Sequence, residues 1–380
     1  MLDPKALLTY CQSELDALLH CLRQAVEIES PSQNKAAIDR MANFFAQEFS
    51  KRGAKVQTLT HATAGSAVLA EFWGGARRMK PILLLGHLDT VWEIGALVEM
   101  PFQVRKGRAY GPGIYDMKSG IVCGLWAVQA FAALKMTPPG PVRFFLNADE
   151  EVSSIAFREE LLAEALGARA VLVLEPAAAQ GALKTSRKGV GEFQITVRGR
   201  SAHAGINPSA GVNAISELAR QILRIEKLAR PQRGLTVNVD VIQGGTRVNV
   251  IPELATARVD VRVPTALDRE KIEKQMRALA PLHHEAKLEI TGGVNRPPME
   301  RKMAIALFHK AHELGLQMGL DLKEAGTGGG SDGNFTAALG IPTLDGLGGT
   351  GDGAHARHEH VVLRELPQRA ALLAALLATI

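Results

Sequence analysis

Three short apolar runs, each ending in an acid or a histidine, constrain this chain more than any other feature. Pro81–Gly86 is followed by His87-Leu88-Asp89, Val142–Ala148 by Asp149-Glu150-Glu151, and Ala170–Leu174 by Glu175. Near-continuous apolar runs of this length suit strands buried on both faces of a sheet. An Ala-rich helical stretch, Lys118–Lys135, lies between the first two runs, so strand and helix alternate. In open α/β sheets, ligands bind beyond the carboxyl ends of the strands. One polar strand end is an ordinary cap. Three in succession, all carboxylate or His, mark one rim of the sheet as a candidate site.

Composition narrows the class. The chain has 380 residues, 46% hydrophobic and 22% charged, the balance of a soluble globular protein. That excludes a disordered, collagen-like or multi-span membrane chain, and no apolar run approaches the roughly 18 residues needed to cross a bilayer. Aromatics are only 5%, so the core must be built from Ala, Leu, Val and Ile. The net charge of +5 is spread out, with no run of five basic residues. It predicts no nucleic-acid or membrane partner and weakly favours anionic small substrates. Cys11, Cys21 and Cys123 form no Cys-x-x-Cys pattern, which fits a reducing cytoplasm. The N-terminus lacks a basic region followed by an apolar one, so a cytoplasmic location is expected.

At about 150 residues per domain, the length predicts two or three domains. Asp3-Pro4 opens a helix whose stripe is Leu8, Cys11, Leu15, Leu18 and Leu22. From residue 189 the texture changes. Strand Glu192–Gly199, helix Gly211–Arg230, strands Leu235–Ile242 and Ala255–Val263, helix Leu267–Pro281 and strand Lys287–Thr291 follow in turn. This is the β-α-β-β-α-β, ferredoxin-like order. The expected fold is therefore α/β: an open, mostly parallel sheet with helices on both faces, carrying an inserted ferredoxin-like domain. Residues 1–188 and 295–380 would form the domain that carries this rim and 189–294 the insert, with Gly292-Gly293 at the return point. The last segment carries helices at 302–318 and 363–379, a Gly-rich loop at 326–333 and a strand-like stretch at 341–344.

His and carboxylate donors without thiolate suit zinc, cobalt or manganese in a hydrolytic site. Two zincs sharing a carboxylate need about five ligand residues, and five are available: His87, Asp116, Glu151, Glu175 and His355. Asp89 can accept the second ring N–H of His87. Glu150, beside a ligand, is the candidate general base for the attacking water. His358 and His360 read as solvated, and Arg187 and Lys188 as surface residues. Asp332 reads equally as a loop cap or a substrate contact.

The chain resembles a known family, the co-catalytic zinc amidohydrolases. These include glutamate carboxypeptidases, acetylornithine deacetylases, succinyl-diaminopimelate desuccinylases and aminoacylases. The motifs that carry the resemblance are Gly-His87-Leu-Asp89-Thr-Val, Tyr-Gly-Pro-Gly-Ile-Tyr-Asp116-Met-Lys-Ser-Gly, Asp-Glu150-Glu151, Leu-Glu175-Pro, Ser-Ala-His203-Ala-Gly and Gly-Ala-His355-Ala-Arg-His-Glu-His-Val. They stand in the family's order over nearly the whole chain.

The resemblance implies two zinc ions bridged by Asp116, one completed by His87 and Glu175, the other by Glu151 and His355. It implies a cis peptide after Asp116 and assigns Glu150 as the base. It makes the insert a lid and dimerisation domain, so a homodimer is expected. His203 would help stabilise the oxyanion in a neighbouring subunit. Asn249 and Arg262 would bind the substrate carboxylate, and the Gly328-Gly329-Gly330-Ser331-Asp332 loop would meet the substrate through backbone. The implied reaction is hydrolysis of an amide next to a free carboxylate in a peptide or other small molecule, releasing a C-terminal glutamate or similar amino acid. An N-acyl amino acid deacylase is the alternative within the family. A catalytically silent metal-binding protein on the same fold is the alternative outside it.

Overall fold

The computed structural model describes residues 3–74 and 79–380. The chain divides into two compact units. One is Met1–Ser186 with Arg301–Thr327 and Ser331–Ile380; the other is Arg187–Glu300 with Gly328–Gly330.

The first unit is built on strands β1 (Lys55–Leu59), β2 (Ala67–Phe72), β3 (Ile82–His87), β4 (Val142–Asn147) and β5 (Ala170–Val173). With a short last strand, Thr343–Leu344, they form one sheet in the order β1-β2-β4-β3-β5-last. β4, β3, β5 and the last strand run parallel, and β1 and β2 make an antiparallel edge. Every residue of β3 and β5 is buried, as strands covered on both faces must be.

The expected single N-terminal helix is two, α1 (Pro4–Ser13) and α2 (Leu15–Glu27), with the break at Glu14. α1 buries Leu7 and Cys11 and packs on the C-terminal helix Leu366–Thr379. α2 buries Leu18, Cys21 and Leu22 and packs on α4 (Ser119–Ala133). Two faces meeting two partners require the bend. α3 (Lys35–Lys51) is capped by the Asn34 side chain, which accepts from the Ala37 N–H. It buries Ile38, Met41, Phe45 and Phe49 and lies against β1 and β2. The Phe49 and Phe144 ring centroids are 4.7 Å apart, and Phe144 is fully buried. Phe144→Ala is therefore expected to cost about 3–5 kcal/mol of stability, measured as a lowered urea midpoint with unchanged slope.

The second unit contains β6 (Gly189–Arg198), helix Ala214–Glu226, β7 (Thr236–Gly244), β8 (Leu254–Val263), helix Ala266–Arg277 and β9 (Lys287–Arg296). Its sheet runs β7-β8-β6-β9, all antiparallel. Phe193, Ile195 and Val197 of β6 and Val259 and Val261 of β8 pack with Leu218, Ile225 and Ile272 of the helices. β9 runs past Thr291 through Gly292-Gly293 to Arg296. The glycine pair, expected at the return point, lies within the strand, and position 292 must be glycine because a Cβ there would fall 2.2 Å from the Glu192 carbonyl oxygen. A separate two-stranded pairing joins Ala202–His203 to Val250–Ile251.

Among the described residues no helix is long and apolar enough to cross a membrane. The three cysteines are free and buried.

Candidate metal centre

Parallel register brings the strand ends level. His87 pairs with Asn147, Leu85 pairs with Val173, and Leu174 donates its N–H to the Leu85 carbonyl. The chain leaving each strand thus carries His87, Glu150-Glu151 and Glu175 to one rim. The backbone at Leu174 is pressed from two sides. A Cβ on Gly120 would stand 1.9 Å from the Leu174 carbonyl oxygen, and one on Gly348 2.2 Å from it. Only glycine permits such approaches.

Asp116 arrives on a loop whose peptide bond to Met117 is cis. A small antiparallel sheet pairs Arg108–Tyr110, just before this loop, with His360–Val362, just after the His355 loop. The two loops therefore emerge side by side.

The donor atoms converge. His87 Nε2 lies 3.3 Å from Asp116 Oδ1 and 3.5 Å from Glu175 Oε1. His355 Nε2 lies 3.2 Å from Glu151 Oε1 and 3.6 Å from Asp116 Oδ2. The two oxygens of Asp116 thus face different histidines. His87, Glu150 and Glu175 place one donor each within 4.8 Å of one another, as do His87, Asp116 and Glu151. Ligand atoms about 2.0–2.1 Å from a tetrahedral zinc stand about 3.3 Å apart, so residues of this type at this spacing fit a divalent cation pair.

Asp89 organises the rim from behind. The His87 Nδ1 is 2.9 Å from the Asp89 carbonyl oxygen and 3.3 Å from its Oδ1, so the ring meets backbone as well as the expected carboxylate. The Asp89 carboxylate accepts from the N–H of Glu150 and of Glu151, at 3.1 Å each, and from the Ser32 hydroxyl at 2.7 Å. One buried carboxylate therefore aligns a ring and two consecutive acids.

The electrostatics are those of a crowded acidic rim. Burial opposes a charge on His87, but Asp116, Asp89 and Glu175 outweigh it and hold its pKa well above the ordinary value. The hydrogen bond to Glu151, with Asp116 nearby, raises His355 to about 9. Burial raises Glu151. Four carboxylates at one rim repel unless protons or metal ions neutralise them.

The remaining expected site residues lie in the second unit. His203 is exposed, its Nδ1 accepting from the N–H of Gly205 and Ile206 at 3.2 and 3.1 Å. The exposed Asn249 accepts the Ala204 N–H through its carbonyl, so the two residues are neighbours. Arg262 is paired with Asp260, Nη2 to Oδ2 at 2.8 Å and Nε to Oδ1 at 2.9 Å. The Gly330 carbonyl accepts from Arg187 at 3.1 Å.

Two bland expectations are corrected. Arg187 is buried, because its guanidinium serves the Gly329 and Gly330 carbonyls. His360 is buried, because its ring packs on Tyr110 across the small sheet. Asp332 is a buried brace that accepts from Asn147 Nδ2 at 2.7 Å and from the Ser154 hydroxyl. Glu359 and Ser32 escape sequence reasoning because their work is done on backbone groups and on Asp89, which leaves no spacing pattern. The one available signal for Glu359 is its place four residues after His355.

Site and sheet together define an α/β protein with a candidate metal centre at one rim of its sheet, and comparison with known proteins specifies the family. Residues 83–379 match peptidase family M20/M25/M40. The chain is 30% identical over 375 residues to carboxypeptidase G2 of Pseudomonas sp. (strain RS-16), covering 96% of this chain and 89% of that protein. It is 27% identical over 325 residues to succinyl-diaminopimelate desuccinylase of Dechloromonas aromatica (strain RCB), covering 80% and 85%. The chain therefore belongs to the M20/M25/M40 peptidase family, as the motifs led us to expect. Its fold is similar to that of aminopeptidase PepT from Bacillus cereus, with a TM-score of 0.78 at 20% identity over 96% of this chain and 98% of that one. It is also similar to the M20 family metallo-carboxypeptidase Sso-CP2 from Sulfolobus solfataricus, with a TM-score of 0.72 at 17% identity over 95% and 98%.

Proposed function

We propose that this chain is a dinuclear metallohydrolase, with zinc as the favoured metal and cobalt or manganese as substitutes. It cleaves an amide beside a free carboxylate and releases a C-terminal glutamate or similar amino acid. The carrying observation is the placement of the two Asp116 oxygens toward two different histidines, each with its own Glu. His87, Asp116 and Glu175 would hold one cation, and Glu151, Asp116 and His355 the other. A bound pair of such cations supplies Lewis acidity toward a carbonyl oxygen and lowers the pKa of water to about 7.

The protein's own groups do the rest. Glu150, 9% exposed and anchored through its N–H to Asp89, takes a proton from the attacking water and returns it to the departing nitrogen. Asp89 holds the His87 ring. His203 serves the oxyanion of a partner subunit, and Asn249, Arg262 and the Gly330 backbone receive the substrate. Arg262 engages Asp260 through Nε and Nη2, which leaves Nη1 for a substrate carboxylate. The second unit acts as lid and dimerisation domain, and the protein works as a cytoplasmic homodimer. The similarity to carboxypeptidase G2 supports the carboxypeptidase reading, and the similarity to a desuccinylase keeps deacylation as the second reading.

Zinc-loaded protein assayed on folate-type α- and γ-glutamates, N-acetylornithine and N-succinyl amino acids decides between them. Turnover of the glutamates supports the first reading, turnover confined to the acyl amino acids supports the second, and no turnover with metal bound rejects both. Cation binding also has an expected pH dependence. His355 in the metal-free protein keeps its proton up to about pH 9, and a cation must displace it. Apparent affinity should therefore climb between pH 6.5 and 8.5, by up to about tenfold per unit for each proton released. Chelator competition measures this, and a flat profile contradicts it.

A further inference from the structure

Glu359 is 1% exposed, and hydrogen-bond donors surround its carboxylate. Oε1 accepts from the N–H of Tyr115 at 2.9 Å and of Asp116 at 3.0 Å. Oε2 accepts from the N–H of Gly113 at 2.9 Å and from the indole Nε1 of Trp92 at 2.8 Å. Its backbone carbonyl accepts the Gly111 N–H at 3.4 Å. Lys118, buried nearby, spends its Nζ on the carbonyls of Ile28 and Pro112. Among the described residues the carboxylate is thus met by N–H dipoles and by no salt bridge.

We propose that Glu359 is a positioning residue for the cation pair. It gathers the Gly113–Asp116 backbone onto the loop that carries His355 and so sets the separation of the Asp116 carboxylate and the His355 ring. The proposal rests on the reading of Asp116 and His355 as ligands. The small sheet aligns the two segments at Tyr110 and His360, but Asp116 lies six residues beyond that ladder and His355 five before it. Between ladder and ligands, Glu359 ties one loop to the other through the N–H groups of Gly113, Tyr115 and Asp116. Charge-assisted bonds of this kind are shorter and stronger than neutral ones.

The chemistry makes the residue hard to replace. Each carboxylate oxygen receives two donors. A glutamine has one acceptor oxygen, and its NH₂ would face two N–H groups. Glu359→Gln should therefore loosen the Asp116 loop while leaving every ligand residue unchanged in kind. Loss of such a supporting partner typically weakens metal binding about 10- to 100-fold.

The test uses the full chain loaded with cobalt(II) or zinc. Wild type should take two ions per chain. Glu359→Gln, shown folded by circular dichroism, should bind one of the two about 10- to 100-fold more weakly and show an altered cobalt visible spectrum. Two ions at wild-type affinity with an unchanged spectrum overturn the proposal. Fewer than two ions in wild type overturn the paired-cation reading itself, and the proposal with it. Where Glu359→Gln does not fold, Trp92→Phe removes a single donor from Oε2. A several-fold weakening of one ion then supports the proposal, and wild-type affinity overturns it.

Discussion

Glu150→Gln is expected to lower kcat by about 10²–10⁴-fold, the usual contribution of a placed general base, with both metal ions retained. The amide keeps the size of the side chain, and its backbone N–H keeps its bond to Asp89 Oδ1. What goes is the lone pair that accepts the proton. Because Glu150 shares a donor cluster with His87 and Glu175, the variant also separates two roles. Activity lost with metal content intact identifies a base. Activity lost together with one ion identifies a ligand. Retained activity removes Glu150 from the mechanism. KM should move little, since the base contributes mainly in the transition state.

Asp116→Asn is expected to have the larger effect on the metal centre. Its two oxygens stand 3.3 Å from His87 Nε2 and 3.6 Å from His355 Nε2. An asparagine presents an acceptor to one side and an NH₂ to the other, so it serves one cation at best. One ion per chain should be lost or weakened by more than the roughly 100-fold that supporting residues control, and turnover should fall below detection. Metal analysis after dialysis measures the first effect, and the glutamate assay the second. Two ions held at wild-type affinity would show that Asp116 does not bridge.

Much of the first unit was legible because burial on both faces writes itself into sequence as apolar runs. β3, β4 and β5 are such runs, and their polar exits carry His87 and Asp89, Glu150 and Glu151, and Glu175 in turn. The alternation of Phe193, Ile195 and Val197 announced β6 in the same way. His355 was legible only through its motif, since its place beside Glu151 depends on a chain excursion of some 200 residues that no local pattern encodes. α3 has a clear stripe in Ile38, Met41, Phe45 and Phe49, but no polar exit draws attention to it. The division of the N-terminal helix at Glu14 follows from which neighbours α1 and α2 meet, a tertiary fact. Glu359, Ser32 and the bracing role of Asp332 escaped for a related reason. Their partners are backbone N–H groups, hydroxyls and amides brought together by folding, and such contacts constrain residue type without imposing a spacing.

The most direct measurement is anomalous X-ray diffraction at the zinc edge from crystals of zinc-loaded protein. Two peaks are expected, one against His87, Asp116 and Glu175, the other against Asp116, Glu151 and His355. A single peak, or none at this cluster, in protein that hydrolyses its substrate would contradict the bridged pair.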